Sequence, residues 1–392
     1  MVLRDDVDLA RLVVDCSVDY LLKVTSCRMK VSGEFPFTSI YRDGVGCTGL
    51  DGTTEDILRA QNLGDQTPRA LNASVPWPLG DLVDIYHPPE VDMDEVQAIV
   101  DKDFRNLIFN TRAVMIVYKG QVVLEQYRDG VTKTNRLLGW SMTKSLTSTI
   151  IGMLVEQNLL DLDGLAPVAE WADPADPRHN ITLESLLHMS SGLQWSEGFD
   201  VAQCLYSSDG DCAHYAASKP LRDPVYSVWE YSTGTTSLLA RIAMENRDMR
   251  HLTNFEYYRE KLFRRISIEN AVIEHHPTTN PLGGSNAYMP LRDWARFGYL
   301  YLNDGIWDGQ RVLPEGWVDY VSTRAPTRDS YGAQFWVRND PTEDMFHASG
   351  FRNQDVFIMR SKDLVVVRNA MPDLAFSATY VFFFFLFLFL SF

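Results

Sequence analysis

Residues 139–157 read GWSMTKSLTSTIIGMLVEQ, and the reading of this stretch decides the rest. Met142, Leu146, Ile150, Met153 and Leu154 recur close to helical spacing. That spacing predicts a helix opening at Ser141, with Lys144 three residues on and on the same face. A serine at a helix start is by itself a cap. S-x-x-K is also short enough to arise by chance in a chain of this length. Whether the pair does chemistry depends on what surrounds it.

Working outward, VDMDEVQAIVDKDF (91–104) reads as a helix. RAVMIVYKGQVVLEQYRDG (112–130) is two β-rich runs joined at Lys119-Gly120, a hairpin signal. Beyond the Ser141 helix, helical patterns and loops run to about residue 300, including ITLESLLHMSSGL (181–193), GTTSLLARIAMEN (234–246) and LRDWARFGYLYL (291–302). Strand-like runs return late as YGAQFWV (331–337), QDVFIMR (354–360) and DLVVVRN (363–369). Strands at both ends of a helical middle predict an α+β fold, in which an antiparallel sheet is flanked by helices and carries an inserted helical lobe at about 145–300. A site is then expected in the crevice between lobe and sheet. Residues 1–90 read as a partly irregular N-terminal extension, with an amphipathic helix near Val7–Leu22 and a proline-rich connector, NASVPWPLGDLVDIYHPPE, at 72–90. The expected main domain covers 91–378, followed by a tail at 379–392.

Bulk composition narrows the function. The 392 residues are 45% hydrophobic and 22% charged, ordinary for a globular protein. A net charge of −16 with no basic run argues against a nucleic-acid groove or an anionic membrane surface as partner. Cys16, Cys27, Cys47, Cys204 and Cys212 show no C-x-x-C spacing, which argues against a zinc or thioredoxin-like centre. The first three allow one disulfide plus a free thiol, or buried inert thiols. Asn72-Ala-Ser74 and Asn180-Ile-Thr182 match the glycosylation sequon, which matters only in a secretory compartment. The start does not read as a signal peptide. The Phe/Leu tract at Val381–Leu390 is short against the roughly 20 apolar residues of a spanning helix. Its two-letter composition is expected to reflect translation through a non-coding tract rather than a membrane anchor, and RNA sequencing across Thr379 tests that.

A serine nucleophile needs a base, a proton donor for the leaving group and an oxyanion hole. WEYSTGTTSLLARI (229–242) places Tyr231-Ser232-Thr233 in a loop before another helix, and HASGFRNQDVFIMRSKDLVVV (347–367) places Ser349-Gly350 at the entry to the last hairpin. The order S-x-x-K, then Y-x-(N/S/T), then a small-Gly strand resembles the serine β-lactamase and penicillin-binding protein superfamily. The likeness is to its class C-like branch, with esterases, D-aminopeptidases and 6-aminohexanoate-dimer hydrolases. LLHMSSGL, RDWARFGYLYLNDGIWDGQRVLPEGWV, YGAQFW and SKDLVVVR carry it further, over about residues 91–372. The resemblance implies a β-lactamase/transpeptidase-like fold and no cofactor or metal. It makes Ser141 the acylated nucleophile, Lys144 its general base and Tyr231 the proton shuttle. The family's K-T-G strand aligns with Ala348-Ser349-Gly350. There Gly350 is expected to let substrate approach, and the Phe351 N–H to complete an oxyanion hole with that of Ser141.

Two positions depart from the family pattern. Ala348 stands where the lysine of K-T-G belongs, and Thr233 is the third residue of Y-x-N. The missing cation weakens recognition of a β-lactam or D-Ala carboxylate, leaving His347 and Arg352 as candidate substitutes. No G-x-S-x-G or H-E-x-x-H is present, and GVGCTGLDG (44–52) lacks the Lys-Ser/Thr of a phosphate loop. The relatives usually carry an export signal, so localisation stays open. The expected activity is metal-independent hydrolysis of a small ester or amide through an acyl-enzyme. The alternative is a non-catalytic scaffold or peptide-binding descendant of the fold.

Overall fold

The computed structural model describes residues 13–19, 24–30, 34–206, 210–338 and 344–371, so the Phe/Leu tail lies outside the described residues. The chain divides into two compact units, each drawn from separate stretches. One comprises 1–67, 157–258 and 272–284; the other comprises 68–156, 259–271 and 285–392.

In the second unit, six strands form one antiparallel sheet. They are β5 (Thr111–Tyr118), β6 (Gln121–Tyr127), β7 (Trp336–Val337), β8 (Met345–Gly350), β9 (Gln354–Met359) and β10 (Leu364–Ala370), numbered after four strands of the first unit. Their order is β7-β8-β9-β10-β5-β6, so the late strands close onto the early hairpin as the terminal runs imply. Val366 faces Ile116 across the β10–β5 pairing and Val367 faces Val356 across β9–β10. On one face Val114, Ile116, Phe357 and Val366 pack with Val96 and Val100 of the helix Met93–Arg105. On the other, the Leu291–Leu302 helix lies along β9 and β10. Covered on both sides, the central strands are apolar at successive positions; Ala113 through Val117 are all buried. Arg368 of β10 makes a buried ion pair with Asp103, both nitrogen–oxygen distances being 3.1 Å, and donates to Thr111 Oγ1 at 2.7 Å. Such a pair ties helix, first strand and last strand at one point, and losing one partner would strand a buried charge.

The helix Met142–Glu156 is buried all round from Met142 to Leu154, so it is not amphipathic in the ordinary sense. Its hydroxyls are satisfied internally: Ser145 donates to the Gln334 carbonyl at 2.8 Å, Ser148 to that of Ala333 at 3.0 Å, and Thr149 Oγ1 bonds Tyr301 OH at 2.7 Å. Polar residues can therefore fill a core helix without unpaired groups.

The first unit carries a four-stranded antiparallel sheet of β1 (Val13–Asp19), β2 (Val24–Lys30), β3 (Glu34–Arg42) and β4 (Gly46–Gly49). This corrects the expected helix near Val7–Leu22, of which the described part, Val13–Asp19, is strand. VVDCSVD contains valines, which favour extended backbone, and its pairing with VTSCRMK supplies the ladder that a single-segment reading could not see. Cys16 and Cys27 face each other in that register. Cys204 and Cys212 form a disulfide, with Cα atoms 4.4 Å apart, that cysteine spacing did not single out. Cys47 is a free thiol, pushed up to about 11 by burial and by the nearby Glu274 carboxylate. The helix Thr233–Asn246 is buried from Thr233 to Met244, and its Arg241 pairs bidentately with Glu170 at 2.8 and 2.9 Å.

Candidate active site

Ser141 lies immediately before the first residue of its helix, and its side chain is half-buried. The turn leading in is tightly tied. Gly139 N–H donates to the Ala287 carbonyl at 2.8 Å, and the Gly139 carbonyl accepts from Met142 N–H at 3.1 Å. Trp140 adopts a left-handed φ of 47°, an unfavourable conformation for a bulky residue that surrounding contacts must hold. Its carbonyl accepts from the N–H and the Oγ1 of Thr143, at 3.0 and 2.7 Å. Thr143 Oγ1 in turn accepts from Ala287 N–H at 3.0 Å.

Lys144 Nζ stands 3.2 Å from Ser141 Oγ, and Lys144 is 1% exposed. One helical turn brings the amine above the hydroxyl, as three-residue spacing dictates. A hydroxyl in hydrogen-bond reach of an amine is the arrangement from which a proton can pass from oxygen to nitrogen.

The β8 strand approaches the same turn. A Cβ built on Gly350 would lie 2.0 Å from the Gly139 carbonyl oxygen, so only glycine lets the two backbones meet. The glycine thus admits the Ser141 turn itself, a role beyond the expected approach of substrate. Just past it, the Phe351 ring meets Trp140 edge to face with centroids 5.7 Å apart. Arg352 and Asn353 continue the turn with φ of 62° and 61°, and the Arg352 guanidinium lies 5.6 Å from the Phe351 ring centre. Ser349 and Gly350 are half-buried, whereas Ala348 is buried. His347 is buried and stacked on Phe357 at 4.6 Å, and burial together with the Arg338 charge lowers it to about 3. It is therefore neutral at ordinary pH and offers no cation to a substrate carboxylate.

One unit brings Ser141, Lys144, Gly350 and Phe351 together, along with Gly139 and Trp140, to which the motif GWSMTKS assigns no role of their own. The Gly-Trp dipeptide before the serine was the available signal. Tyr231 belongs to the other unit. It is half-buried, with Trp229 at a ring separation of 6.0 Å, and precedes a helix capped by Ser232, whose Oγ accepts from Thr235 N–H at 2.9 Å. Thr233 donates its N–H to Glu197 Oε2 at 2.9 Å and its hydroxyl to Glu197 Oε1. Among the described residues no group of three or more His, Cys, Asp or Glu is arranged to hold a metal ion, and no helix is long and apolar enough to cross a membrane.

The comparisons agree with this architecture. The chain is 24% identical over 293 residues to a 6-aminohexanoate-dimer hydrolase of Paenarthrobacter ureafaciens, covering 67% of this chain and 73% of that one. A solved Bacillus anthracis protein provisionally given the same name superposes with a TM-score of 0.65 at 21% identity, covering 78% of this chain and 85% of that one. A family VIII carboxylesterase superposes at 0.58 and 15% identity, covering 76% and 98%. The Beta-lactamase family model matches residues 104–371, from the end of the Met93 helix to the end of β10. The chain belongs to this β-lactamase family, and it is a serine hydrolase.

Proposed function

We propose that this protein cleaves small esters or amides through an acyl-enzyme on Ser141, with Lys144 as general base and Tyr231 as proton shuttle. The observation that carries the reading is the 3.2 Å approach of a buried Lys144 amine to the Ser141 hydroxyl at a helix start. Burial disfavours an ammonium, so the site suits a lysine that must be neutral to accept a proton. In acylation the Ser141 oxygen bonds the substrate carbonyl carbon while its proton passes to Lys144. The carbon–heteroatom bond then breaks, and the leaving group takes a proton through Tyr231. Water next attacks the acyl carbon, giving one proton back to the site, and the acid departs with Ser141 restored. The backbone N–H groups of Ser141 and Phe351 are the proposed oxyanion donors, set on two segments whose backbones touch at Gly139 and Gly350.

The dimer-hydrolase and carboxylesterase relatives support esters and amides as the substrate class. Ala348 in place of a lysine, and a buried neutral His347 beside it, support weak handling of β-lactams. Arg352 is the first residue to test should penicillin be turned over efficiently.

The deciding experiment is labelling with a fluorophosphonate probe, read by intact mass and peptide mapping. One adduct, on Ser141, is expected, and an adduct on another serine or none at all would overturn the reading. Chelation with EDTA should leave ester turnover intact; a loss that zinc restores would overturn the metal-independent class.

A further inference from the structure

Thr233, two residues past Tyr231, is held by more than its place in the chain. Both oxygens of the half-buried Glu197 accept from it: Oε2 from the backbone N–H at 2.9 Å and Oε1 from the hydroxyl. Glu197 is itself located by Trp195, whose Nε1–H donates to Oε2 at 2.6 Å. The Trp195 ring is wedged against the helix that Thr233 opens, because a Cβ on Gly234 would lie 2.4 Å from it. Every one of these partners is a donor, so the grip suits an ionised carboxylate, which only accepts. Ser232 satisfies the Thr235 N–H of this helix start, and Glu197 satisfies the Thr233 N–H, another of its unpaired donors. The additional bond to the Thr233 hydroxyl goes beyond what a helix end requires.

We propose that Glu197 is a positioning residue: by clamping Thr233 it fixes the Tyr231 loop, and with it the phenol that delivers the leaving-group proton. The inference rests on the proton-shuttle reading of Tyr231. The third residue of the Y-x-(N/S/T) motif here donates to a carboxylate through both its backbone N–H and its hydroxyl.

The test is kcat and KM for a p-nitrophenyl ester and an amide of the same acyl group, measured on Glu197→Gln, Thr233→Val, Thr233→Ser and Tyr231→Phe; p-nitrophenolate leaves without a proton and an amine does not. In Glu197→Gln an amide NH2 can be turned toward the Thr233 donors; in Thr233→Val only the hydroxyl bond is lost. Displacing a catalytic group by a fraction of an ångström to an ångström can cost up to about 100-fold, so amide kcat should fall about 10- to 100-fold in both variants, with KM and ester kcat within about threefold. Thr233→Ser should stay close to the unaltered protein. Equal losses on ester and amide would overturn the inference, as the mark of a general structural role. Selective amide loss in Tyr231→Phe but not in Glu197→Gln or Thr233→Val would overturn it while leaving the shuttle standing. If Tyr231→Phe itself loses nothing selectively, the shuttle reading fails first and the inference falls with it. Should Glu197→Gln not fold, Thr233→Val against Thr233→Ser still decides.

Discussion

The two helix starts that bear the proposed reactive hydroxyls are built differently. Before the Met142 helix, the serine and the lysine belong to one helical turn, and the backbone around them is locked by bonds at Gly139, Trp140 and Ala287. Before the Thr233 helix, Thr233, two residues past Tyr231, is gripped by a glutamate 36 positions away in the chain. In the first, the spacing of serine and lysine follows from helical geometry, and distant residues brace only the backbone around it. The second depends on a distant side chain, and its geometry can relax without dismantling the fold. The first should therefore fail abruptly on substitution, and the second by degrees and selectively.

The sharpest test of that contrast is Ser141→Ala. Turnover should fall by roughly four to six orders of magnitude while the fold survives, in line with nucleophile deletions elsewhere. Unchanged hydrolysis by the folded variant would end the proposal. Lys144→Arg keeps the charge but cannot act as a base at ordinary pH, so it should cost about 100- to 10,000-fold, nearly as much as Lys144→Ala. Recovery of activity in the arginine variant alone would mean that Lys144 contributes charge rather than proton transfer.

Gly350→Ala comes next. The added carbon would meet a carbonyl oxygen of the Ser141 turn rather than a flexible side chain. Shifting β8 or the turn should destabilise by about 1–3 kcal/mol and lower kcat by up to about 100-fold. A variant with unchanged melting and unchanged kcat would show that the backbones do not need this approach.

Tyr231→Phe should lower amide kcat/KM by about 100-fold and that of a p-nitrophenyl ester far less, because p-nitrophenolate leaves without a proton and an amine does not. Equal losses would break the contrast between the two helix starts.

The smallest effect concerns His347. Its folded-state pKa of about 3 lies below the ordinary value near 6.5, so the neutral form is the one the fold accepts. The stability it contributes is present above about pH 6.5 and drains away as pH falls toward 3. His347→Phe preserves the stack on Phe357 and should flatten the fall in melting temperature between pH 7 and 4, with ester turnover at pH 7.5 within about twofold. An unaltered pH dependence of melting would place the acid sensitivity elsewhere, with the similarly buried His275 and His276 next in line.

Much of this molecule is legible in its sequence. The hairpin at Lys119-Gly120, the late strands in QDVFIMR and DLVVVRN and the Ser141–Lys144 turn follow from periodicity and turn chemistry, which act over a few residues. Of YGAQFWV, by contrast, only Trp336–Val337 is strand. The N-terminal strands were missed because a ladder belongs to two segments at once, and VVDCSVD alone does not name its partner. The Cys204–Cys212 bond was missed because no spacing rule marks an eight-residue separation. Glu197 escapes a sequence reading for a related reason: W-S-E-G carries no motif, and Glu197 meets Thr233 only in the fold. The local sequence, then, determined which residues sit one turn apart and which runs form strands, because helix and strand periods are short-range. Tertiary structure alone decided that Gly350 meets Gly139, that Phe351 meets Trp140, and that His347 is buried and neutral. Those facts depend on how distant segments pack, and packing is set by the whole chain's competition for a common core.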